Sequence, residues 1–326
     1  MGVRAPRVAL VSEMTRFDDE SLSKLSLSGF ELRPAHHLAH ARDEAALVRG
    51  LSGAWAVVAG VEKYSAQVLA QLRTLRVIAR TGVGFDNVDL VAATQQKILV
   101  VTTPDANTES VADFTIGLML ATVRHLVRAD QEVRSGRWRS GVLTGDLYDA
   151  TVGLIGLGRV GTAVARRLVG FHCRILAADP AADPDKCREL KIELLPISQV
   201  LSQVDILSIH VPLNRDTKHL IGSDELNRLR PGAVLVNTSR GGVVNELSLL
   251  EALRSGHLAG AALDVFENEP LTRDHPLLTM ANVVTSGHVA AFSRMAAHRT
   301  VTAIADALIE VANDKVPIGC VNPEAF

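Results

Sequence analysis

The chain alternates short apolar runs with longer stretches in which polar and apolar residues recur at helical spacing. The apolar runs are rich in β-branched residues and short enough to be strands. They are RVALVS, AWAVVAG, LRVIART, ILVVTT, TVGLIGLG, CRILAAD, VDILSIHV, AVLVNTS, LAGAALDV and NVVTSGH. Because strands buried on both faces belong to parallel sheets covered by helices, this pattern predicts an α/β fold.

A glycine-rich turn in mid-chain suggests how this fold is divided. GLGRVG begins at Gly156, and residues 8–101 before it carry their own alternation of strands and helices. Pro104 and Asn107 are natural breakers after that first segment. A chain of 326 residues also exceeds what one compact core usually supports. We therefore expect two α/β domains.

Two further segments predict helices. SVADFTIGLMLATVRHLVRADQEVRSG, which follows Glu109, is apolar along one side, with an acidic start and a basic end that suit the helix dipole, and predicts one long helix. Its apolar face fits either the core of the chain or a contact with a second copy. The alanine-rich residues 295–313 predict a final helix, which DKVPIG stops.

Composition narrows the class of protein. The chain is 47% hydrophobic and 21% charged with a net charge of −2, which excludes general disorder. No long run of Lys or Arg is present, so we expect neither a nucleic-acid partner nor adhesion to a membrane.

Cysteine usage and the N-terminus bear on location. Cys173, Cys187 and Cys320 have no CxxC spacing and no neighbouring histidines, which predicts neither disulfides nor a metal site. The opening MGVRAPRVALVSEM has too short an apolar stretch for a signal peptide or a spanning helix. We expect a cytoplasmic protein.

The glycine-rich turn has the context of a dinucleotide site, because TVGLIGLGRVGTAVARRL predicts a strand, a turn and a helix. Gly156 permits the tight turn, Gly158 lets the backbone approach a pyrophosphate, and Gly161 lets the helix pack close to the strand. The backbone of Arg159 and Val160, at the N-terminus of the helix, would face the anion.

The next strand supplies a carboxylate at its end. Asp179 closes CRILAAD, where it can accept hydrogen bonds from the adenosine ribose hydroxyls. Pro180, Ala181 and Ala182 follow, and none of them can neutralise a 2′-phosphate. The sequence therefore favours NAD over NADP.

Three charged side chains follow in the last third of the chain: Arg240 in NTSRGGVVNE, Glu269 in LDVFENEP and His288 in SGHVAAFS. A guanidinium can hold an anionic substrate, and an imidazole beside a carboxylate can move one proton. Behind a dinucleotide turn, this set predicts hydride transfer.

The chain resembles the D-isomer-specific 2-hydroxyacid dehydrogenases, in particular the phosphoglycerate dehydrogenase-like members. The matching segments are RTGVGFDNVDL, TTPDANTESVADFTIGLML, GLGRVG, VDILSIHVPLNRDTKHLIG, LRPGAVLVNTSRGGVVNELSLLEAL, GAALDVFENEP and SGHVAA. The resemblance implies a Rossmann NAD-binding domain at residues 104–289, inserted into a flavodoxin-like substrate domain made of residues 1–103 and 290–326. The cleft between the domains would hold the chemistry.

The resemblance also implies catalytic roles. Arg240 would bind the carboxylate and carbonyl of the substrate, and His288 would be the general acid and base. Glu269 would be the partner of the histidine and favour its protonated form. One departure is that Ser286 and Gly287 precede His288, where the family commonly has Thr-Pro.

Substrate and cofactor contacts follow from the same resemblance. Val83 and Gly84 lie in a loop whose backbone N–H groups would donate hydrogen bonds to the substrate carboxylate, although the loop is also compatible with an ordinary turn. Asn107 would line the cleft or simply cap the next helix. For the cofactor, the resemblance adds His210, Val211 and Pro212 near the adenine, and Thr238, Ser239 and Asp264 toward the nicotinamide.

The implied activity is NAD-dependent interconversion of a D-2-hydroxy acid and a 2-keto acid, in a homodimer formed through the NAD-binding domain. 3-Phosphoglycerate, glycerate with hydroxypyruvate, and glyoxylate are candidate substrates. Because the terminal helix lies close to Phe326, we expect no appended regulatory domain. Glu269 weighs against formate oxidation, which transfers no proton. An NAD(H)-sensing, corepressor-like binding protein and a phosphite dehydrogenase remain alternatives, since both keep the three charged residues.

Overall fold

The computed structural model describes residues 5–39, 41, 43–138 and 141–326. The first four residues of the N-terminal segment discussed above lie outside these ranges. The strands are β1 (Arg7–Leu10), β2 (Glu31–Pro34), β3 (Ala56–Ala59), β4 (Val77–Arg80), β5 (Leu99–Val101), β6 (Thr151–Ile155), β7 (Arg174–Ala178), β8 (Ile192–Leu194), β9 (Ile206–Ile209), β10 (Ala233–Asn237), β11 (Leu258–Leu263) and β12 (Val283–Thr285).

Helices alternate with these strands along most of the chain. They are α1 (Asp19–Leu27), α2 (Glu44–Leu51), α3 (Ala66–Gln71), α4 (Leu90–Gln95), α5 (Thr108–Val123), α6 (Leu126–Arg134), α7 (Arg159–Val169), α8 (Pro184–Glu189), α9 (Ile197–Leu201), α10 (Ser223–Arg228), α11 (Glu246–Arg254) and α12 (Arg294–Ala312).

The chain divides into two compact units. The first unit contains Met1–Asn107 and Ala291–Phe326, and the second contains Thr108–Ala290. These limits fall a few residues later in the chain than those expected from the sequence.

The first unit is built on a five-stranded sheet in the order β2-β1-β3-β4-β5. Its strands are parallel, and this order is that of flavodoxin-like sheets. One face packs on α2, α3 and α4, while buried residues of α12, among them Ile304 and Leu308, pack with the other. The final helix predicted from the sequence is confirmed to within one residue at each end.

The second unit is built on a seven-stranded parallel sheet in the order β12-β11-β10-β9-β6-β7-β8. From β6 the chain runs outward through β7 and β8, returns to β9 on the other side of β6, and continues to β12. This is the Rossmann order, in which ligands bind at the carboxyl ends of the strands where the order reverses, here β6 and β9. The expected fold class is confirmed in both units.

Strands β2 and β8 escaped the sequence pattern. Both lie at the edge of a sheet, and their residues are mostly exposed or half-buried. Because these two edge strands pack little apolar surface, they lack the continuous apolar run that revealed the other strands.

The prediction of a single long helix after Glu109 is wrong. The structure has two helices, α5 and α6, whose axes meet at 61°. The break falls at His125, whose φ of 50° lies in the left-handed region and cannot continue a right-handed helix. Buried residues of α5, such as Ala112 and Met119, belong to the core of the second unit, so the apolar face of this helix is intramolecular.

No single helix in the described part of the chain has both the length and the apolarity that a membrane span requires. Among the described residues, one pair of helices, α5 and α6 taken together across their bend, meets that test by length and composition.

Candidate active site

The glycine-rich turn lies where β6 and β9 meet. Gly156 has a φ of +97°, and a Cβ placed on it would lie 2.7 Å from the carbonyl oxygen of His210. A Cβ on Gly161 would lie 2.1 Å from the carbonyl oxygen of Gly156. The two strands and α7 therefore approach closely only because these positions carry no side chain.

Gly158 is different, because a Cβ placed on it would have no heavy atom within 4 Å. Its φ of −62° is also accessible to any residue. Gly158 immediately precedes α7, which begins with Arg159 and Val160, so the N-terminal turn of this helix lies next to that open space. Open space against a helix N-terminus fits the pyrophosphate of a dinucleotide.

Asp179 follows β7 and contacts this turn. Its Oδ2 accepts the N–H of Leu157 at 2.6 Å, and its Oδ1 accepts the N–H of Ala181 at 2.8 Å. The residue is half-buried. Each carboxylate oxygen can accept more than one hydrogen bond, so the group still fits the hydroxyls of an adenosine ribose.

His210 follows β9 beside the turn, and its N–H donates to the carbonyl of Ile155 at 2.7 Å. Its Nε2 lies 2.9 Å from Oγ of Ser208. Burial lowers the pKa of His210 to about 4, so the ring is neutral near pH 7. Val211 and Pro212 continue the chain here, and the carbonyl of Pro212 accepts the hydroxyl of Thr217 at 2.5 Å.

The segment after β10 is shaped by Asn237, which the sequence reasoning missed. Asn237 is buried, and its Nδ2 donates to the carbonyl of Arg240 at 2.9 Å. Its Oδ1 accepts both the N–H and the hydroxyl of Ser239, at 3.0 and 2.8 Å. The hydroxyl of Thr238 instead lies 2.9 Å from that of Thr115. Both predicted cofactor-binding hydroxyls therefore contact protein groups.

Asp264 follows β11 directly and has no exposed surface. Its Oδ1 accepts the hydroxyl of Ser286 at 2.6 Å and the N–H of Val289 at 2.9 Å. Its Oδ2 accepts the N–H of Ala290 at 2.8 Å, and its carbonyl accepts the N–H of His288 at 2.7 Å. The resemblance places Asp264 toward the nicotinamide, and in the structure its buried carboxylate also holds residues 286–290 in place.

His288 and Glu269 form a close pair. Nδ1 of His288 lies 2.7 Å from Oε2 of Glu269, and the two side chains are 30% and 24% exposed. The other carboxylate oxygen of Glu269 accepts the N–H of Phe266 at 2.9 Å. Because Nδ1 is engaged by the carboxylate, Nε2 is the ring atom that remains for a ligand.

Arg240 acts on the same carboxylate. Burial alone raises the pKa of Glu269, but the hydrogen bond and charge of His288, the N–H of Phe266 and the charge of Arg240 together lower it below the usual value. The loops of Arg240 and Glu269 also touch, since a Cβ on Gly241 would lie 1.9 Å from the carbonyl carbon of Phe266. Gly241, another residue that the sequence reasoning missed, is required for this contact.

Val83, Gly84 and Asn107 belong to the first unit. The carbonyl of Gly82 accepts the N–H of Thr103 at 3.0 Å, and the carbonyl of Gly84 accepts Nε of the buried Arg80 at 3.0 Å. In a planar trans peptide the N–H points away from the carbonyl, so the N–H of Val83 is directed away from Thr103. A Cβ on Gly82 would lie 3.9 Å from Nδ2 of Asn107, which places that amide beside the loop.

Within residues 5–39, 41, 43–138 and 141–326, no group of three or more His, Cys, Asp or Glu is arranged to hold a metal ion. The cysteines Cys173, Cys187 and Cys320 are free thiols.

Residues 116–290 match the family model described as "D-isomer specific 2-hydroxyacid dehydrogenase, NAD binding domain". A glyoxylate reductase of Korarchaeum cryptofilum is 42% identical over 79% of this chain and 80% of its own length. A D-3-phosphoglycerate dehydrogenase of Archaeoglobus fulgidus is 40% identical over 78% of this chain but only 49% of its own length.

Solved structures agree in fold. The TT0316 protein of Thermus thermophilus superposes with a TM-score of 0.87 at 33% identity and covers 97% of this chain and 99% of its own. An NADPH-dependent glyoxylate/hydroxypyruvate reductase of Sinorhizobium meliloti, solved with NADP and malonate, has a TM-score of 0.83 at 33% identity and covers 99% and 98% of the two chains.

The chain therefore belongs to the D-isomer specific 2-hydroxyacid dehydrogenases. It is an oxidoreductase that acts on CH–OH groups with NAD(H) or NADP(H).

Proposed function

We propose that this enzyme interconverts a small 2-keto acid and the corresponding D-2-hydroxy acid, with Arg240, Glu269 and His288 as its catalytic residues. The observation that carries the proposal is the contact of 2.7 Å between Nδ1 of His288 and Oε2 of Glu269. The charge of Arg240 acts on the same carboxylate. An oriented imidazole beside a cationic fork provides the two functions that reduction of a keto acid needs from the protein.

Each residue has a defined task. A nicotinamide, when bound, supplies the hydride in one direction and accepts it in the other. Nε2 of His288 gives a proton to the carbonyl oxygen during reduction and removes it from the hydroxyl during oxidation. Glu269 holds the ring through Nδ1 and stabilises its protonated form, while the guanidinium of Arg240 binds the substrate carboxylate.

We assign the backbone N–H groups of Val83 and Gly84 to the substrate carboxylate as well. The carbonyls of Gly82 and Gly84 accept hydrogen bonds from Thr103 and Arg80, and these bonds hold the loop in one conformation. A loop held in this way supports the assignment. The neighbouring amide of Asn107 would contribute a further donor from a side chain.

Among the candidate substrates we favour glyoxylate and hydroxypyruvate over 3-phosphoglycerate. The glyoxylate reductase of Korarchaeum cryptofilum is 42% identical to this chain and the phosphoglycerate dehydrogenase 40%, and the reductase of Sinorhizobium meliloti that superposes with a TM-score of 0.83 is named for glyoxylate and hydroxypyruvate. The chain spans about half the length of the phosphoglycerate dehydrogenase.

We further propose NAD(H) as the preferred cofactor. The carboxylate of Asp179, held by the N–H groups of Leu157 and Ala181, would accept the hydroxyls of the adenosine ribose and repel a 2′-phosphate. The cofactor would also contact the turn at Gly156, Gly158 and Gly161 and the segments that hold His210 and Ser239.

We also propose a cytoplasmic homodimer formed through the second unit. Large apolar side chains are exposed on α6 and in the segment after it, including Leu126 at 53%, Trp138 at 81% and Leu143 at 97%. Such a concentration of exposed apolar surface is typical of an interface. Free thiols fit a reducing compartment. Light scattering of the wild type and of Leu143→Asp would show a dimer for the first and a monomer for the second.

The test of the proposed function is NADH oxidation with glyoxylate, hydroxypyruvate, pyruvate and 3-phosphohydroxypyruvate, and NAD reduction with phosphite. Turnover of a keto acid that is lost in His288→Ala supports the proposal. Turnover with phosphite alone favours the phosphite dehydrogenase alternative. NADH binding without turnover of any compound favours a nucleotide-sensing protein.

A further inference from the structure

Four titratable side chains lie close together in the second unit, and none of them has a role in the proposed catalysis. They are His219, Glu246, Glu267 and His275. Nε2 of His219 lies 3.3 Å from Oε1 of Glu267, and Nε2 of His275 lies 3.4 Å from Oε2 of Glu246. The residues come from four separate segments, so only the fold brings them together.

The side chains of Glu246 and Glu267 each accept a hydrogen bond from the backbone N–H of the other residue. Oε1 of Glu267 accepts the N–H of Glu246 at 2.9 Å, and Oε1 of Glu246 accepts the N–H of Glu267 at 2.5 Å. We call this reciprocal pair the Glu246–Glu267 clamp. Glu246 is the first residue of α11, so one half of the clamp also satisfies a free N–H at the start of that helix.

The clamp joins the two segments that carry Arg240 and Glu269. One segment runs from Arg240 to Glu246, and the other runs from Phe266 to Glu269. They meet where Gly241 packs against the peptide of Phe266, and Glu269 is bonded to the N–H of Phe266. Packing at Gly241 sets how closely the segments approach, and the clamp fixes their register.

The clamp holds two carboxylates in close proximity. The side chains of Glu246 and Glu267 are only 14% and 29% exposed. Burial raises the pKa of Glu246, the charge of Glu267 raises it further, and the N–H of Glu267 and the contact with His275 oppose that rise. His219 and His275 are therefore placed where, when protonated, they offset the repulsion between the carboxylates.

We propose that Glu246 and Glu267 are positioning residues of this enzyme, which fix the guanidinium of Arg240 relative to the Glu269–His288 pair through their reciprocal backbone hydrogen bonds. This inference rests on the proposed function. Neither residue needs to touch the substrate, because displacement of a catalytic group by about 1 Å is enough to impair turnover.

The experiment compares Glu246→Ala, Glu267→Ala, the double variant and Glu246→Gln with the wild type. Each alanine variant should raise KM for the keto acid about tenfold and lower kcat about tenfold, while the dissociation constant of NADH stays within about twofold. Each single variant removes one of the two hydrogen bonds of the clamp, so the double variant should be worse than either single variant, but by less than the product of the two effects because both bonds hold the same two segments. Glu246→Gln keeps an oxygen acceptor and should restore most of the activity. Glu251→Ala, an exposed position on α11, is the matched control.

Two results would overturn the inference. One is an unchanged kcat and KM in folded alanine variants. The other is a parallel loss of NADH affinity, melting temperature and activity, which indicates general loss of the fold. If the alanine variants do not fold, His219→Asn and His275→Asn replace them. These remove the imidazole contacts to Glu267 and Glu246 and should raise the keto-acid KM about threefold while NADH binding stays intact. An unchanged keto-acid KM in both histidine variants also overturns the inference. Absence of turnover in the wild type contradicts the proposed function itself, and the inference with it.

Discussion

Asp264 holds the loop of His288 through both its side chain and its backbone. Its carbonyl accepts the N–H of His288 at 2.7 Å, and its fully buried carboxylate accepts the N–H groups of Val289 and Ala290. His288 itself has a φ of +57°. A histidine in this left-handed conformation requires support from its surroundings, and Asp264 supplies it.

Asp264→Asn should therefore impair catalysis without weakening cofactor binding. The amide turns one acceptor into a donor that faces a backbone N–H, which costs about 1.5–3 kcal/mol and lowers kcat about 10-fold to 100-fold. NADH fluorescence titration should give a dissociation constant within about twofold of the wild type. A loss of NADH affinity as large as the loss of kcat would place Asp264 directly on the cofactor instead.

Substitutions of the glycines in the turn should distinguish weaker cofactor binding from lower stability of the fold. Gly158→Ala puts a methyl group into open space, so its melting temperature should stay within about 2 °C while NADH binds about tenfold more weakly or worse. Gly161→Ala forces a Cβ against a backbone oxygen and should lower the melting temperature by about 5 °C or more.

Gly117→Ala is the control for this pair, because a Cβ at that position in α5 also meets nothing within 4 Å. Both its stability and its affinity for NADH should match the wild type. Unchanged NADH affinity in Gly158→Ala would show that the pyrophosphate does not bind at this turn.

Because of His210, the protein should be less stable in mild acid than at neutral pH. Its folded pKa of about 4 lies below the usual 6.5, so the unfolded chain takes up the proton first. Stability is fully present above pH 6.5 and is lost as the pH falls toward 4. Between pH 7 and 5 this one group should lower the free energy of unfolding by about 2 kcal/mol.

Urea unfolding of the wild type and of His210→Asn at pH 7 and pH 5 measures this contribution. The variant should lose less stability than the wild type over this interval. The exposed His37→Asn should behave like the wild type, and equal losses in all three proteins would mean that the ring of His210 is not buried as described.

Asp179 should govern the choice between the two nicotinamide cofactors. Asp179→Ser removes the charge that repels a 2′-phosphate and should reduce the preference for NADH over NADPH about 10-fold to 100-fold, measured as the ratio of kcat/KM values. A wild type that prefers NADPH, or a ratio that does not change in the variant, would contradict this role.

The central part of the fold could be predicted from the sequence because its strands are buried on both faces. The turn from Gly156 to Gly161 could also be predicted, since its glycines stand at a fixed spacing within one strand, turn and helix. The edge strands β2 and β8 could not, because exposed strands carry little apolar pattern. The break at His125 depends on one left-handed residue, which the apolar periodicity of the flanking helices does not reveal.

The candidate site was predictable in its residue types but not in its hydrogen bonds. Arg240, Glu269 and His288 stand in distinct segments, and their chemistry suggested their tasks. The partners of Asp264 and Asn237 lie in backbone amides and carbonyls that only the folded chain brings within reach. The Glu246–Glu267 clamp could not be predicted from the sequence for the same reason, because the pattern of side chains does not show which backbone N–H groups they contact.

The central claim is that His288, oriented by Glu269, transfers the proton. Single-turnover reduction of glyoxylate by enzyme loaded with NADH, compared between the wild type, His288→Ala and the exposed control His37→Ala, tests it most directly. We expect a rate about a thousandfold lower in His288→Ala, with NADH affinity within about twofold of the wild type and the control unaffected. A His288→Ala enzyme that reduces glyoxylate at the wild-type rate would contradict it.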